Sequence, residues 1–183
     1  MTRRERLRFW EHPPGPVFHA LLVPLGLALL WNASLPGDDF LLMMVVTFLV
    51  VLAAVVWAVR VLAFIATRRR FSWWLVVAPV AGLVVLSLDV TNLPLQARFQ
   101  LSRTAFDRSA TASSPETEAR QRIGLYTIQW VSDEDDQILY SEVHGCDMLC
   151  DAGFLYAPHG ARADAGMTVS HLTGPWYTYV DEG

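Results

Sequence analysis

The sequence predicts an integral membrane protein: three transmembrane helices followed by a four-stranded antiparallel domain outside the membrane. The first observation is three apolar stretches of 19, 27 and 16 residues, Val17–Leu35, Phe40–Ala66 and Trp73–Leu88. A helix that crosses a hydrocarbon core roughly 30 Å thick needs about 20 apolar residues. Arg60 carries the one fixed charge in these stretches. Because the bilayer offers no water to backbone N–H and C=O groups, each stretch must be helical.

The second observation is the position of the arginines, which make up all 14 basic residues. Seven of them precede the first stretch or fill the turn between the second and third: Arg3, Arg4, Arg6, Arg8, Arg68, Arg69 and Arg70. The loop Pro36–Asp39 has none. Short arginine-rich segments stay in the cytoplasm, so we expect the N-terminus inside the plasma membrane and the tail outside. Arg98, Arg103 and Arg108 follow the third stretch and favour the reverse, but they are fewer.

The chain divides into a transmembrane region (1–92), a juxtamembrane amphipathic segment with a linker (93–121) and a β domain (122–183). Within Leu93–Ala110, one helical stripe carries Leu95, Phe99, Ser102 and Phe106. This pattern predicts a helix that lies either on the lipid headgroups or against the β domain. Thr111–Gln121 is small, polar and charged, which is typical of a linker.

The β domain is predicted from segments rich in β-branched and aromatic residues. The four expected strands are Ile123–Val131, Gln137–Val143, Gly153–Ala157 and His171–Val180. Ser132–Asp136 is an acidic turn between the first two. The aromatic side chains expected in the sheet are Trp130, Tyr140, Phe154, Tyr156 and Trp176.

The tail is acidic. Residues 93–183 hold six arginines against thirteen Asp and Glu, a net of −7 within a total of −4 for the chain. Such a surface repels phosphate backbones, so nucleic acid is not an expected partner. The expected partners are the lipid bilayer and a protein of the membrane or envelope.

Cys146 and Cys150 are the only two cysteines, and the arginine distribution places both outside. An oxidising compartment and a three-residue gap predict a disulfide between them. A metal site is one alternative, because histidines and carboxylates surround the pair: His144, Asp147, Asp151, His159 and His171. Their single, scattered spacing disfavours zinc, whose ligands usually come in pairs. Free or redox-active thiols are the other alternative. We expect no metal and no cofactor.

Three motifs in the tail carry a resemblance. They are Arg122-Ile123-Gly124-Leu125-Tyr126, Cys150-x-x-Gly153-Phe154-x-Tyr156-x-Pro158 and His171-Leu172-x-Gly174-Pro175-Trp176-Tyr177. With the preceding spans, they resemble small membrane proteins of actinobacteria that have a short β-rich tail and no assigned activity. The resemblance implies a host class and a membrane location, and it implies no catalytic residue.

The leading functional hypothesis is a non-enzymatic, membrane-anchored interaction or accessory module of the cell envelope, either on its own or as a subunit of a larger membrane complex. Aromatic side chains anchor partners at many interfaces, and the residues predicted to contact a partner are Trp130, Tyr156, Trp176 and Tyr177. One alternative is an envelope enzyme in which His171 or His159 works with Asp164 or Asp151 as an acid–base pair. Another is a small transporter subunit, which would need a polar path through the spans.

Overall fold

The computed structural model describes residues 16–37, 39–68, 73–111, 119–134, 136–144, 150–163 and 166–182. The chain forms two compact units. The first comprises Met1–Leu30 and Met44–Thr91, and the second comprises Trp31–Met43 and Asn92–Gly183. The tail therefore includes a segment that the sequence assigns to the membrane region.

Three apolar helices precede the tail: α1 (Pro16–Asn32), α2 (Phe40–Arg68) and α3 (Trp74–Val90). Within the described residues, one stretch, Phe40–Ala66 of α2, is long and apolar enough to cross a membrane. Helices α1 and α3 have 17 residues each, which reach about 26 Å at 1.5 Å per residue. The expected three helices of membrane length are thus corrected to one of that length and two shorter ones.

A fourth helix, α4 (Leu93–Ala110), opens the tail and is followed by six strands. They are β1 (Gln121–Ile123), β2 (Tyr126–Glu134), β3 (Gln137–Glu142), β4 (Asp151–Tyr156), β5 (Met167–Thr173) and β6 (Trp176–Asp181). The strands form one sheet in the order β1-β2-β3-β4-β6-β5, with every neighbouring pair antiparallel.

The prediction of four strands was wrong because two hairpins were read as continuous strands. Ile123 pairs with Tyr126 across a two-residue turn, and Thr173 pairs with Trp176 across another. Each turn begins with a glycine at positive φ, Gly124 at 60° and Gly174 at 55°. Glycine adopts this conformation without steric cost, so it allows the chain to reverse inside a β-rich segment.

Helix α4 packs against one face of the sheet and creates the main core. Its buried residues are Leu95, Phe99, Ser102 and Phe106, the stripe that the sequence predicts. This stripe packs against the β domain, which was one of the two predicted positions. Phe99 and Phe106 lie in an aromatic cluster with Tyr126, Tyr140, Phe154 and Trp176. Phe154 lies 5.1 Å from each of the two helix rings, centroid to centroid.

Candidate interaction surface

The face of the sheet opposite α4 carries two transverse rows of side chains, set by the strand registers. One row runs across β2, β3, β4, β6 and β5 through Trp130, Ser141, Gly153, Tyr179 and Val169. The adjacent row runs through Ser132, Leu139, Leu155, Tyr177 and His171. We call these two rows the second face.

The second face has a buried centre and a partly exposed aromatic rim. Leu139, Leu155 and Tyr179 are buried, and Trp130 and Tyr177 pack around them while remaining partly exposed. His171 is exposed, with its ring 5.0 Å from that of Tyr177 in an edge-on arrangement. An aromatic rim over an apolar centre can accept a flat apolar or sugar-like surface, because stacked rings contribute about 0.5–1.5 kcal/mol each beyond their area.

A polar network borders the second face at one end. The hydroxyls of Ser141 and Tyr179 donate to the two carboxylate oxygens of Asp151, at 2.5 and 3.2 Å. Burial, and next the negative charge of Asp151, raise the pKa of the Tyr179 hydroxyl. The phenol is therefore a neutral hydrogen-bond donor at any physiological pH, and this network fixes the start of β4.

Gly153 allows β3 and β4 to approach closely beneath this network. A Cβ atom at Gly153 would overlap the carbonyl oxygen of Tyr140. Any other residue would push the strands apart and disturb the Ser141–Asp151 bond beside it, because Gly153 pairs with Ser141.

Cys150 of the predicted disulfide directly precedes Asp151, whose carboxylate accepts from Ser141 and Tyr179 of the second face. Cys150 carries no free thiol, but Cys146 lies outside the described residues, so the pairing of the two stays a prediction. His144, at the start of that connection, donates its backbone N–H to Glu142 at 2.6 Å. Among the described residues there is no cluster of three side chains suited to hold a metal ion.

The four residues predicted to contact a partner separate in the structure. Trp130 and Tyr177 lie on the second face with part of each side chain exposed. Trp176 is fully buried, and its indole N–H donates to Asp107 at 2.8 Å. Trp176 therefore belongs to the core, since no partner could reach it. Tyr156 is partly buried on the α4 face, 4.9 Å from the Trp176 ring.

Asp151 and His171, one form of the predicted acid–base pair, lie far apart. Asp151 lies opposite Asp181, which lies opposite Met167, whereas His171 is four residues further along β5. This offset corresponds to about 13 Å along the strand, in addition to two strand spacings. His171 also bonds to the carbonyl of Gly174 at 3.0 Å. His159 is exposed in the turn after β4, and Asp164 lies outside the described residues.

A second constellation, which sequence reasoning missed, holds the segment between α1 and α2 against the tail. The guanidinium of Arg98 lies between the rings of Trp31 and Tyr126, 4.5 and 4.2 Å from their centroids. It donates to the Ser34 hydroxyl at 3.0 Å and to the Leu125 carbonyl at 2.7 Å. We call these five residues the Arg98 clamp. The Tyr126 hydroxyl closes it by donating to the Ser34 carbonyl at 3.2 Å.

The clamped segment is itself well ordered by local bonds. Asn32, Ser34 and Leu35 are buried. The carboxylate of Asp39 accepts from the N–H of Leu42 at 2.8 Å, which caps the first turn of α2. The N–H of Asp39 in turn donates to the Asn32 side chain at 3.3 Å. The expected plain loop between two spans is thus an integral part of the tail unit.

Glu142 introduces a buried carboxylate close to the clamp. Burial raises the pKa of its carboxyl group, and the hydrogen bond from His144 and the positive charge of Arg98 lower it in part. Burial also raises the pKa of the Tyr126 hydroxyl, against the opposing effect of Arg98. Among the causes of these two pKa shifts, Arg98 is the positive charge that acts on both groups.

Comparison with protein families, with curated proteins and with solved structures finds no match to this chain.

Proposed function

We propose that the chain is a membrane-anchored interaction or accessory module of the cell envelope, with its tail on the extracytoplasmic side. The main observation that supports this proposal is the contrast between the two units. The tail buries an aromatic core, whereas the apolar side chains of the helices remain outward. At least half exposed are Leu21, Leu27, Phe48, Leu52, Leu62 and Leu83. Water-soluble proteins rarely expose apolar surface on this scale, so a lipid environment accounts for it.

In this proposal all three apolar helices cross the bilayer. Helices α1 and α3 are a few ångströms shorter than an average hydrocarbon core, a mismatch that local thinning of the bilayer and flanking polar residues accommodate at modest cost. The arginine bias favours an N-terminus in the cytoplasm. An odd number of crossings then places the tail outside.

Labelling of intact cells with a membrane-impermeant maleimide tests the number of crossings. A cysteine replacing Ser170 of β5 should react, whereas one replacing Thr67 of α2 should react only after the cells are opened. The chain with its native cysteines alone is the control. If both substituted positions label in intact cells, or neither does, α3 does not cross the membrane and the three-span arrangement is refuted.

We propose that the second face contacts the partner, a protein or glycan of the envelope, through Trp130 and Tyr177. A photo-crosslinking amino acid at either position should give an adduct in intact cells. The matched control is Thr168, which is exposed on β5 but faces the α4 side through its pairing with Val180. Equal adduct yields at Tyr177 and Thr168 would show that the second face has no preferred partner.

The Cys146–Cys150 disulfide belongs to the same proposal. It would close the connection from β3 to β4 next to Asp151, which the network on the second face holds in place. Intact-mass analysis of alkylated protein, purified without reductant, should show no added alkyl group. Two added groups would show that both cysteines are free thiols, which would refute the disulfide.

A further inference from the structure

We propose that the outer face of α4, defined as Leu93, Ala97, Leu101, Thr104 and Arg108, lies on the lipid headgroup layer of the outer leaflet. The tail would then have a contact with the bilayer beyond the ends of its spans. This inference rests on the proposed function, because it requires the tail to be held at a membrane.

The first argument is the composition of the outer face. Helical geometry places it opposite the buried stripe that contacts the sheet. All five of its residues are exposed. Of its two leucines, Leu101 is the more exposed, at 77%. Arg108 is its one charged residue, and no carboxylate lies on it. The solvent side of a water-exposed helix normally carries many charges of both signs.

The second argument is that further exposed apolar side chains contact α4 along its flank. Leu125 is 43% exposed, and its N–H donates to the hydroxyl of Ser102 on the buried stripe. Trp31 is 53% exposed and stacks on Arg98, one turn before Leu101 on α4. Tryptophan, leucine and arginine together are the composition that favours the interfacial layer of a bilayer.

The third argument is charge. Residues 93–122 hold five arginines against three carboxylates, a net of +2, whereas residues 123–183 hold one arginine against ten, a net of −9. The positive part contains α4 and most of β1, and the negative part contains the other strands. Headgroup phosphates attract arginine and repel carboxylates, so a membrane contact through α4 uses the favourable part of the tail.

The fourth argument is attachment. The tail unit begins at Trp31 in the last turn of α1, and it includes Phe40 and Leu41, which are largely exposed at the start of α2. Leu93 follows the end of α3 by three residues. The chain therefore connects this unit to three apolar helices by very short segments, which favours a lipid surface over a soluble partner as the occupant.

Fluorescence quenching in vesicles tests the inference. The full chain carries an environment-sensitive fluorescent amino acid at Leu101 and is reconstituted into phosphatidylcholine vesicles with anionic phosphatidylglycerol. A nitroxide on the lipid headgroup should quench position 101 at least about twofold more than Ser170 on β5, because an interfacial helix face lies within a few ångströms of the headgroups. Aqueous iodide should show the opposite order.

A probe at Leu52 of α2 with a nitroxide deep in the acyl chain separates the two proposals. No quenching at Leu52 overturns the membrane anchor itself. Quenching at Leu52 with equal headgroup quenching at Leu101 and Ser170 overturns this inference alone. Protection of position 101 from iodide without headgroup quenching means that a second protein copy covers the face, which also overturns it.

Discussion

Substitution of Arg98 by methionine should release the segment Trp31–Met43 from the tail. Methionine retains the apolar stem but removes the charge that lies between Trp31 and Tyr126, and it removes both hydrogen bonds to Ser34 and Leu125. The bond from the Tyr126 hydroxyl to the Ser34 carbonyl remains.

The magnitude follows from the two contacts that Arg98 makes with the segment, because Tyr126 and Leu125 belong to the tail itself. The stacked Trp31 ring contributes about 0.5–1 kcal/mol at a partly exposed site, and the bond from the charged donor to Ser34 contributes about 1.5–3 kcal/mol. Water compensates part of this loss because Arg98 is half-buried. We therefore expect the segment to lose about 1–2 kcal/mol of docking free energy, which increases its open population about 5- to 30-fold.

Hydrogen exchange measures this population in the full chain in vesicles. The amides of Ser34 and Leu35, bonded to the carbonyls of Trp31 and Asn32, should exchange faster in Arg98→Met by that factor. The control is Arg103→Met on the same helix, because Arg103 makes a surface contact with Asp107 at 3.7 Å and should leave these amides unchanged. Equal exchange in the wild type and Arg98→Met would refute the role of the clamp.

Three further predictions concern stability of the tail, measured by chemical unfolding of the full chain. Burial raises the folded-state pKa of Glu142 above its ordinary 4.5, so the free energy of unfolding should fall as pH rises from 4.5 to the folded-state pKa. Glu142→Gln should flatten this pH dependence. An unchanged pH profile would contradict the raised pKa of Glu142. Gly153→Ala should lower the free energy of unfolding by more than about 3 kcal/mol, because the new Cβ overlaps the Tyr140 carbonyl. Gly160→Ala, at positive φ in open space, should lower it by about 1–2 kcal/mol. Equal losses would contradict the close approach of β3 and β4 at Gly153. Trp176→Phe should cost about 1–3 kcal/mol, because it leaves a cavity and a carboxylate without its indole donor, and no loss would show that the ring is not a core residue.

The sequence predicts the elements with strong local periodicity. The stripe Leu95, Phe99, Ser102 and Phe106 repeats at helical spacing, and the structure buries these four residues. The hairpins at Gly124 and Gly174 were missed because each turn has only two residues, and strand-forming residues flank it on both sides. A glycine before a leucine or proline was the available signal.

The candidate sites were harder to predict because long-range pairing determines them. Ser34 and Arg98 are 64 residues apart, and nothing in either segment indicates the other. The second face depends on strand register, which distinguishes Tyr177 at the rim from Trp176 in the core. Residue type alone could not separate these adjacent aromatic residues, whereas alternation along a strand does once its start is known.

The Arg98 clamp has a consequence for the order in which the chain is made. Trp31–Met43 is synthesised before most of α2 and all of α3, and its docking surface on α4 and β2 is synthesised after them. The segment can therefore dock only after the chain has been made as far as Tyr126. A fragment beginning at Asn92 would lack the Ser34 acceptor for both Arg98 and Tyr126. The tail is for this reason not an interchangeable module, and grafting it onto another anchor would require the segment to be transferred with it.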